Sequence, residues 1–278
     1  MRRRTTIPVD GRTAYVSGAA SGIGRAMALR LAAHACPVAI VDQDPEGLEG
    51  TAAMIGGPVL ARRLDVRDRQ AQLAFAAEVA EWAPTPLGIV FNNAGVATAQ
   101  SVAEGAIEDD EWVISVNFGG VVNGTRAFLP ILLAQRSGVI VNTSSVFGLL
   151  GMPYQSAYCA SKFAIRGFTD SLRQELRGTG VRAATVHPGG VKTNIVRNAR
   201  FHPLSPDMTH DRAAEMFEAF ARTTPERAAE IIHEGCKAGK SRILVGPDAY
   251  VFDALARVMP TRYYDLLGRL DTMFTRGD

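Results

Sequence analysis

Cysteine is scarce in this 278-residue chain: Cys36, Cys159 and Cys236 are odd in number and unclustered, with no C-x-x-C pair. That speaks against a disulfide framework or a zinc site and reads as a reduced, cytoplasmic protein. Charge of one sign is missing too. With 30 Lys and Arg against 28 Asp and Glu, the chain lacks the strongly basic balance of a nucleic-acid binder. No run reaches 18 apolar residues; the longest candidate, 26–41, is interrupted by Arg30, His34 and Pro37, so no transmembrane segment is expected. The opening Met1-Arg2-Arg3-Arg4 resembles the charged start of a signal peptide. No apolar stretch follows it before Asp10 and Gly11, so it reads as a basic tail. Internal repeats and Gly/Ser linkers are absent, which makes 1–278 one expected domain. A chain of this length buries roughly three quarters of its unfolded surface without a covalent or metal staple.

What the chain does have is alternation. Short β-branched runs at 13–17, 38–42, 59–64, 88–92, 139–143, 182–187 and 243–245 are separated by helical stretches near 22–35, 45–55, 68–82, 108–134, 155–177 and 225–238. Most of the short runs are apolar without a break, as strands buried on both faces are. Strands and helices in this rhythm predict an α/β fold, a mostly parallel seven-stranded sheet with helices on both faces. The stretch 194–224 breaks the rhythm with Pro203, Pro206 and an amphipathic piece at 213–220, and such an insertion predicts a functional lid. After the last strand, about 248–278 forms a tail, helical to about 275. Its Val251, Leu255, Val258, Leu266, Leu267 and Leu270 fall at helical spacing, with a break at Pro260. Core packing is the first reading of that tail; a partner subunit or a membrane surface are the others.

Chemistry concentrates at the strand ends. The first strand runs into Ser17-Gly18-Ala19-Ala20-Ser21-Gly22-Ile23-Gly24, a G-x-x-x-G-x-G loop opening a helix. Glycines let backbone approach a phosphate, and the helix start offers free N–H groups and a positive dipole end. Asp42 closes the second strand, where a carboxylate would bond ribose hydroxyls and repel a 2′-phosphate; capping the next helix is the alternative. Ser21 and Gln43 stand where a basic residue would best receive that phosphate, and Arg25 is less well placed, so NAD is expected over NADP. Tyr158 and Lys162 lie at i and i+4 on one helix face, in a chain with only four lysines. An ammonium beside a phenol is expected to pull the phenol's pKa down from about 10 toward neutrality, as acid–base work requires. Taken alone, the pair also fits a surface contact. Ser145 follows a strand end, and Asn117 is a polar residue within an apolar helical stretch, either a site residue or a satisfied core amide.

In this order and spacing, the residues resemble the short-chain dehydrogenase/reductase family in its single-domain form, densely over about 11–193 and loosely over 225–246. The resemblance implies a doubly wound Rossmann fold. It places Gly18, Ser21, Gly22, Ile23 and Gly24 in the cofactor loop, with Ser17 where Thr is more usual, and Asp42 on the ribose. Asp65 and Val66 match the pair that contacts adenine. Asn92, Ala94 and Gly95 belong to the Asn-Asn-Ala-Gly motif that stabilises the central sheet beside the cofactor. Pro188, Gly189, Val191 and Thr193 match the segment beside the nicotinamide carboxamide. Asn117, Ser145, Tyr158 and Lys162 match the catalytic tetrad, with Tyr158 and Lys162 also contacting the cofactor and Asn117 holding a water.

The implied reaction is hydride transfer between NAD(H) and an alcohol or ketone, without a metal. Mostly apolar residues over 146–155, with Ile195, Val196, Phe201, Leu204, Met208, Met216, Phe217 and Phe220 in the insertion, point to a lipophilic secondary alcohol or ketone of steroid, retinoid or fatty type. A small hydroxyketone or diol is the alternative, and a dinucleotide sensor without chemistry a remote one. The family's subunit contacts imply a homodimer or homotetramer through the helices at 108–134 and 155–177.

Overall fold

In the first apolar run, Ala14 and Val16 point to one side and Tyr15 to the other, and all three are fully buried. A strand that must satisfy two apolar layers has no polar face to alternate, which is why the runs read as continuous. The computed structural model describes residues 8–202, 208–263 and 265. Its strands are β1 (Thr13–Ser17), β2 (Val38–Asp42), β3 (Val59–Arg63), β4 (Leu87–Asn92), β5 (Thr98–Ala99), β6 (Gly138–Thr143), β7 (Val181–Pro188), β8 (Arg200–Phe201) and β9 (Arg242–Val245). Seven of them form one sheet in the order β3-β2-β1-β4-β6-β7-β9, with every neighbouring pair parallel.

The helices are α1 (Gly22–Ala33), α2 (Pro45–Ala53), α3 (Arg69–Trp82), α4 (Ile107–Ile114), α5 (Gly120–Gln135), α6 (Ser156–Glu175), α7 (His210–Phe220), α8 (Pro225–Lys237) and α9 (Pro247–Val258). Met27 and Leu31 of α1, Leu48 of α2 and Ile232 of α8 pack on one face of the sheet. Phe75 of α3, Phe128 and Leu132 of α5 and Leu172 of α6 pack on the other. The alternation predicts this layered sheet with helices on both faces, and the doubly wound Rossmann arrangement is the one that the resemblance implies.

Two features depart from the sequence reading. The helix expected over 108–134 is divided by a wider turn, Ser115–Gly119, in which the Gly120 N–H reaches back five residues to the Ser115 carbonyl. Gly120 can occupy that point because it has no Cβ: one would lie 2.7 Å from Val66 Cγ2. The wider turn carries Asn117, and such turns often mark functional sites. The second departure is the pair β5 and β8, joined in parallel through Thr98 with Arg200 and Ala99 with Phe201. Two-residue strands carry no periodicity, so only the tertiary fold reveals them. The elements otherwise shift by a residue or two; β3 ends at Arg63, although the Leu64 N–H still bonds the Asp42 carbonyl at 2.8 Å. Pro203, Leu204, Pro206, Leu266, Leu267, Leu270 and the basic start lie outside the described residues.

The three cysteines are buried free thiols. Among the described residues, no helix is long and apolar enough to cross a membrane, and no group of three or more His, Cys, Asp or Glu could hold a metal ion.

Candidate active site

Strand order reverses between β1 and β4, so the loops after these strands diverge and leave a crevice at the sheet's C-terminal edge. Ser17 closes that edge. Its hydroxyl accepts the Asn93 and Ala94 N–H groups at 3.0 and 3.2 Å, so serine does there what the more usual threonine would. Gly18 follows at φ +68°, a conformation that favours glycine, and a Cβ on it would lie 2.8 Å from Ala94 Cα. Gly24 has a different reason: its Cβ would overlap the Gly18 carbonyl oxygen, so glycine lets α1 press against the loop. A Cβ on Gly22 would meet Thr193 Cγ2 at 3.0 Å, which places the 193 segment over the same loop. Ser21, at the start of α1, makes no side-chain cap bond, whereas Asp44 caps α2 and Asp68 caps α3. The first N–H groups of α1 are thus left to an anion rather than to a cap.

Asp42 accepts the Ala20 N–H at 2.9 Å and the Asp44 N–H at 3.1 Å, which holds its carboxylate at the lip of the loop. The capping alternative falls, because Asp44 caps α2 by accepting the Gly47 N–H at 3.1 Å. Arg25 is engaged elsewhere: it bonds Thr51 Oγ1 at 2.9 Å and the carbonyls of Gly47 and Ala20, tying α1 to α2. Asp65 is gripped by the Arg67 guanidinium at 2.6 and 2.8 Å. Burial works to raise its pKa, but the Arg67 hydrogen bonds and charge outweigh it and hold the carboxyl below the usual range. Val66 lies beside it, its carbonyl accepting from Asn123 Nδ2 at 3.1 Å.

Asn92 is buried under the crevice floor. Its amide donates to Thr125 Oγ1 at 3.2 Å and Asn142 Oδ1 at 2.9 Å, and Asn142 donates to Thr169 Oγ1, so one polar chain links α5, β4, β6 and α6. The Asn117 side chain clasps Val96 from both sides, accepting its N–H at 2.8 Å and donating to its carbonyl at 3.0 Å; Nδ2 also reaches Ser161 Oγ at 3.0 Å. A Cβ on Gly95 would lie 3.2 Å from Asn117 Oδ1 and 3.3 Å from Lys162 Nζ. Asn117 and Lys162 therefore face each other across Gly95.

Tyr158 and Lys162 are buried on α6, with the Lys162 ammonium 5.4 Å from the Tyr158 ring centre and donating to the Thr143 carbonyl at 3.2 Å. The Ser145 hydroxyl neighbours the Tyr158 phenol and acts to hold its pKa down. Sequence reasoning expects the lysine to draw the phenol toward neutrality; the structure shows the reverse balance. Burial pushes Tyr158 up to about 12, with the neighbouring Ser145 hydroxyl opposing it, and burial brings Lys162 down to about 8. Taking two groups out of water disfavours both charged forms. Ser144 is a packing residue: its hydroxyl donates to the Lys162 carbonyl at 2.8 Å.

The profile of the short chain dehydrogenase family matches residues 12–203. The chain belongs to this family. It is 44% identical over 264 residues to the putative oxidoreductase SadH of Mycobacterium tuberculosis, covering 93% of this chain and 94% of that one. It is 34% identical over 230 residues to galactitol 2-dehydrogenase (L-tagatose-forming) of Cereibacter sphaeroides, covering 81% and 85%. A short-chain dehydrogenase/reductase of Burkholderia phymatum, solved with NAD, superimposes with a TM-score of 0.81 at 30% identity over 94% and 96% of the two chains. Solved chains of this fold carry NAD in some cases and NADP in others. The protein is an oxidoreductase of alcohol or ketone groups with a fold that binds a nicotinamide dinucleotide.

In this short-chain dehydrogenase, one residue next to the tetrad escaped the sequence reading. His187, fully buried on β7, has Nδ1 3.0 Å from the Ser145 carbonyl and Nε2 3.1 Å from Thr185 Oγ1. A carbonyl only accepts, so Nδ1 carries the proton and Nε2 accepts from the threonine. Burial lowers the His187 pKa to about 4, so it stays neutral at working pH. The available signal was a histidine at the end of a strand, beside the apolar Val186 and two positions after Thr185. His187→Leu leaves the Ser145 carbonyl without its donor and is expected to lower turnover by roughly tenfold. His187→Asn keeps a donor at the same place and is expected to restore most of it. Equal losses of turnover in the two variants would make His187 a packing residue.

The 188–193 segment lies alongside. The Gly189 N–H donates to the Val245 carbonyl at 3.0 Å, and Val191 bridges to Thr223. Around Tyr158, Ala97 and Val113 form an apolar cluster with Val96, Trp112, Phe147, Ile195 and Ala199 against it, the Phe147 ring edge-on at 6.2 Å. Not every residue expected in the pocket wall is there: Val146, Leu149 and Leu150 are buried core. The insertion contributes Ile195 and Ala199 to the cluster, while Phe220 stays exposed over Gly190.

Proposed function

We propose that this dehydrogenase transfers a hydride between NAD(H) and a secondary alcohol or ketone with a lipophilic body of steroid, retinoid or fatty type. The apolar cluster around Tyr158 carries this reading, because a substrate oxygen at the Tyr158 hydroxyl would have its carbon skeleton against Phe147, Trp112 and Ile195. A small hydroxyketone or diol is the second reading, favoured by the similarity to a galactitol dehydrogenase. NAD-coupled absorbance over secondary alcohols graded from small diols to sterols separates the two. Turnover that rises with apolar size supports the first; turnover confined to small polar alcohols replaces it with the second. NADP run in parallel tests the cofactor, for which the support is Asp42 at the ribose end and the engagement of Arg25 elsewhere.

The free N–H groups at the start of α1, in a glycine loop held close against Ala94, Thr193 and its own Gly18 carbonyl, suit a dinucleotide. Gly18, Ser21, Gly22, Ile23 and Gly24 would hold its phosphates and Asp42 the adenosine ribose. Asp65 and Val66 would hold the adenine, Asn92, Ala94 and Gly95 the floor of the crevice, and Pro188, Gly189, Val191 and Thr193 the nicotinamide end. Bound there, the cofactor supplies the hydride acceptor or donor.

This chain's own residues move the proton. Tyr158 gives it to the ketone from its hydroxyl or, in the oxidation direction, takes it from the alcohol as the phenolate. Ser145 orients and polarises the substrate oxygen. Lys162 contributes charge beside the phenol and would bond the nicotinamide ribose. Asn117, by holding Val96, keeps Gly95 and Lys162 in place. The charged form of Lys162 is lost as pH rises through about 8, because burial lowers its pKa to that value. Ketone reduction is therefore expected to fall with a limb near pH 8. A reduction profile flat from pH 7 to 10 would remove that charge from the mechanism.

Residues 1–278 read as one domain with 194–224 as its lid, in a cytoplasmic protein. A homodimer or homotetramer is supported by the exposed Ile107 and Ile114 on α4, Leu133 on α5 and Phe163 on α6.

A further inference from the structure

The segment after the last strand touches both walls of the crevice. On the cofactor wall, Asp248 in the first turn of α9 accepts the Gly190 N–H through Oδ2 at 2.6 Å. A Cβ on Gly189 would overlap this carboxylate, so the two glycines let the 189–190 backbone lie flush against it. Gly246, at φ +93°, makes the bend that delivers Asp248: a Cβ there would lie 2.9 Å from Thr223 Oγ1. Thr223 in turn donates its N–H to the Gly190 carbonyl at 3.2 Å and accepts the Lys192 N–H at 2.9 Å. On the substrate wall, Tyr263 is 5% exposed, and its hydroxyl accepts the Gly151 N–H at 2.9 Å. Gly151 belongs to the loop that leads from Ser145 and Phe147 into α6 and Tyr158. Between the two contacts, α9 is fastened to β9 and to itself by Asp253, which pairs with Arg242 and Arg257.

We propose that α9 and the turn after it form a positioning strap, in which Asp248 sets the backbone that receives the nicotinamide end of the cofactor and Tyr263 sets the loop that receives the alcohol. Neither residue touches the reacting atoms; each acts through a glycine N–H. The proposal rests on the functional reading above for which wall receives which ligand. Among the described residues of the tail, Asp248 and Tyr263 reach the two walls of the chain's own crevice.

The test separates the walls. Asp248→Ala removes the acceptor for the Gly190 N–H and is expected to weaken NADH binding, and to raise the KM for NAD, by about tenfold, with the alcohol KM unchanged. Asp248→Asn keeps an acceptor oxygen and is expected to recover most of that loss. Tyr263→Phe removes the acceptor for Gly151 and is expected to raise the alcohol KM several-fold while NADH binding stays at the wild-type value. A merely structural tail would move both constants together, in step with the melting temperature. That parallel shift, or no shift in either variant, overturns the proposal. NADH titration by fluorescence reads the Asp248 contact without turnover, so a wrong substrate class does not imitate its failure. Turnover that survives Tyr158→Phe would instead sink the catalytic reading.

Discussion

Tyr158→Phe is expected to lower turnover by about 10²- to 10⁴-fold, the range that a positioned proton donor or acceptor contributes. The ring should stay where it is, because its environment is apolar: Ala97 and Val113 in the same cluster, Phe147 edge-on at 6.2 Å. What disappears is the hydroxyl beside Ser145. Losing that hydroxyl costs about 1–2 kcal/mol of stability, too little to unfold a protein of this size. NADH binding should persist, since phenylalanine keeps the ring that packs above Lys162. The measurement is steady-state turnover beside an NADH fluorescence titration and a thermal melt. Turnover within tenfold of wild type would take Tyr158 out of proton transfer.

Gly24→Ala is the second large effect, and it acts on binding rather than chemistry. The new methyl carbon would overlap the Gly18 carbonyl oxygen and lie 2.6 Å from Gly18 C and 2.9 Å from Asn93 Nδ2. Two of those neighbours are backbone, which cannot turn aside as a side chain can. Helix α1 must withdraw from the loop, at about 1–3 kcal/mol of stability for an overpacked contact. The same withdrawal carries the N–H groups at the start of α1 away from the phosphate position, and NADH affinity is expected to fall by more than about tenfold. Gly50→Ala is the matched control. Gly50 is also helical, on α2, but nothing lies within 4 Å of its Cβ position. There alanine should stabilise by up to about 1 kcal/mol through helix propensity and leave NADH binding unchanged. Wild-type NADH affinity in Gly24→Ala would mean that the loop does not need its close packing on α1.

The strands of the main sheet were legible because each answers to two apolar layers, and the helices between them because each answers to one. Ala14, Tyr15 and Val16 read as a strand before any contact is known. The glycine loop and the Tyr158–Lys162 pair were legible for a related reason: each rests on short spacing along the chain, a tight turn in one case and one helical turn in the other. The pairing of β5 with β8 was not legible, because it joins residues about a hundred positions apart that have no pattern of their own. The wide turn at Asn117 was hidden by a local sequence that looks helical throughout; its cause lies across the fold, in Val66 against Gly120 and in the Val96 backbone.

Electrostatics divides in the same way. From sequence, one helical turn puts an ammonium beside a phenol, and simple attraction predicts a lowered phenol pKa. The structure buries both groups, and burial raises Tyr158 to about 12 and lowers Lys162 to about 8. Spacing along a helix determines who the neighbours are; depth below the surface determines which charges survive, and depth belongs to the whole fold. His187 and Asp248 follow that rule, since each matters through a backbone group far from it in sequence. By itself the sequence determined the layered α/β architecture and, through its motifs, the family, and it singled out the glycine loop and the four residues proposed for catalysis, because periodicity and short-range spacing carry these signals. Only the tertiary structure decided the protonation balance at Tyr158, the partner of Ser145 and the contacts of the tail, because burial and long-range contact exist only once the layers have closed.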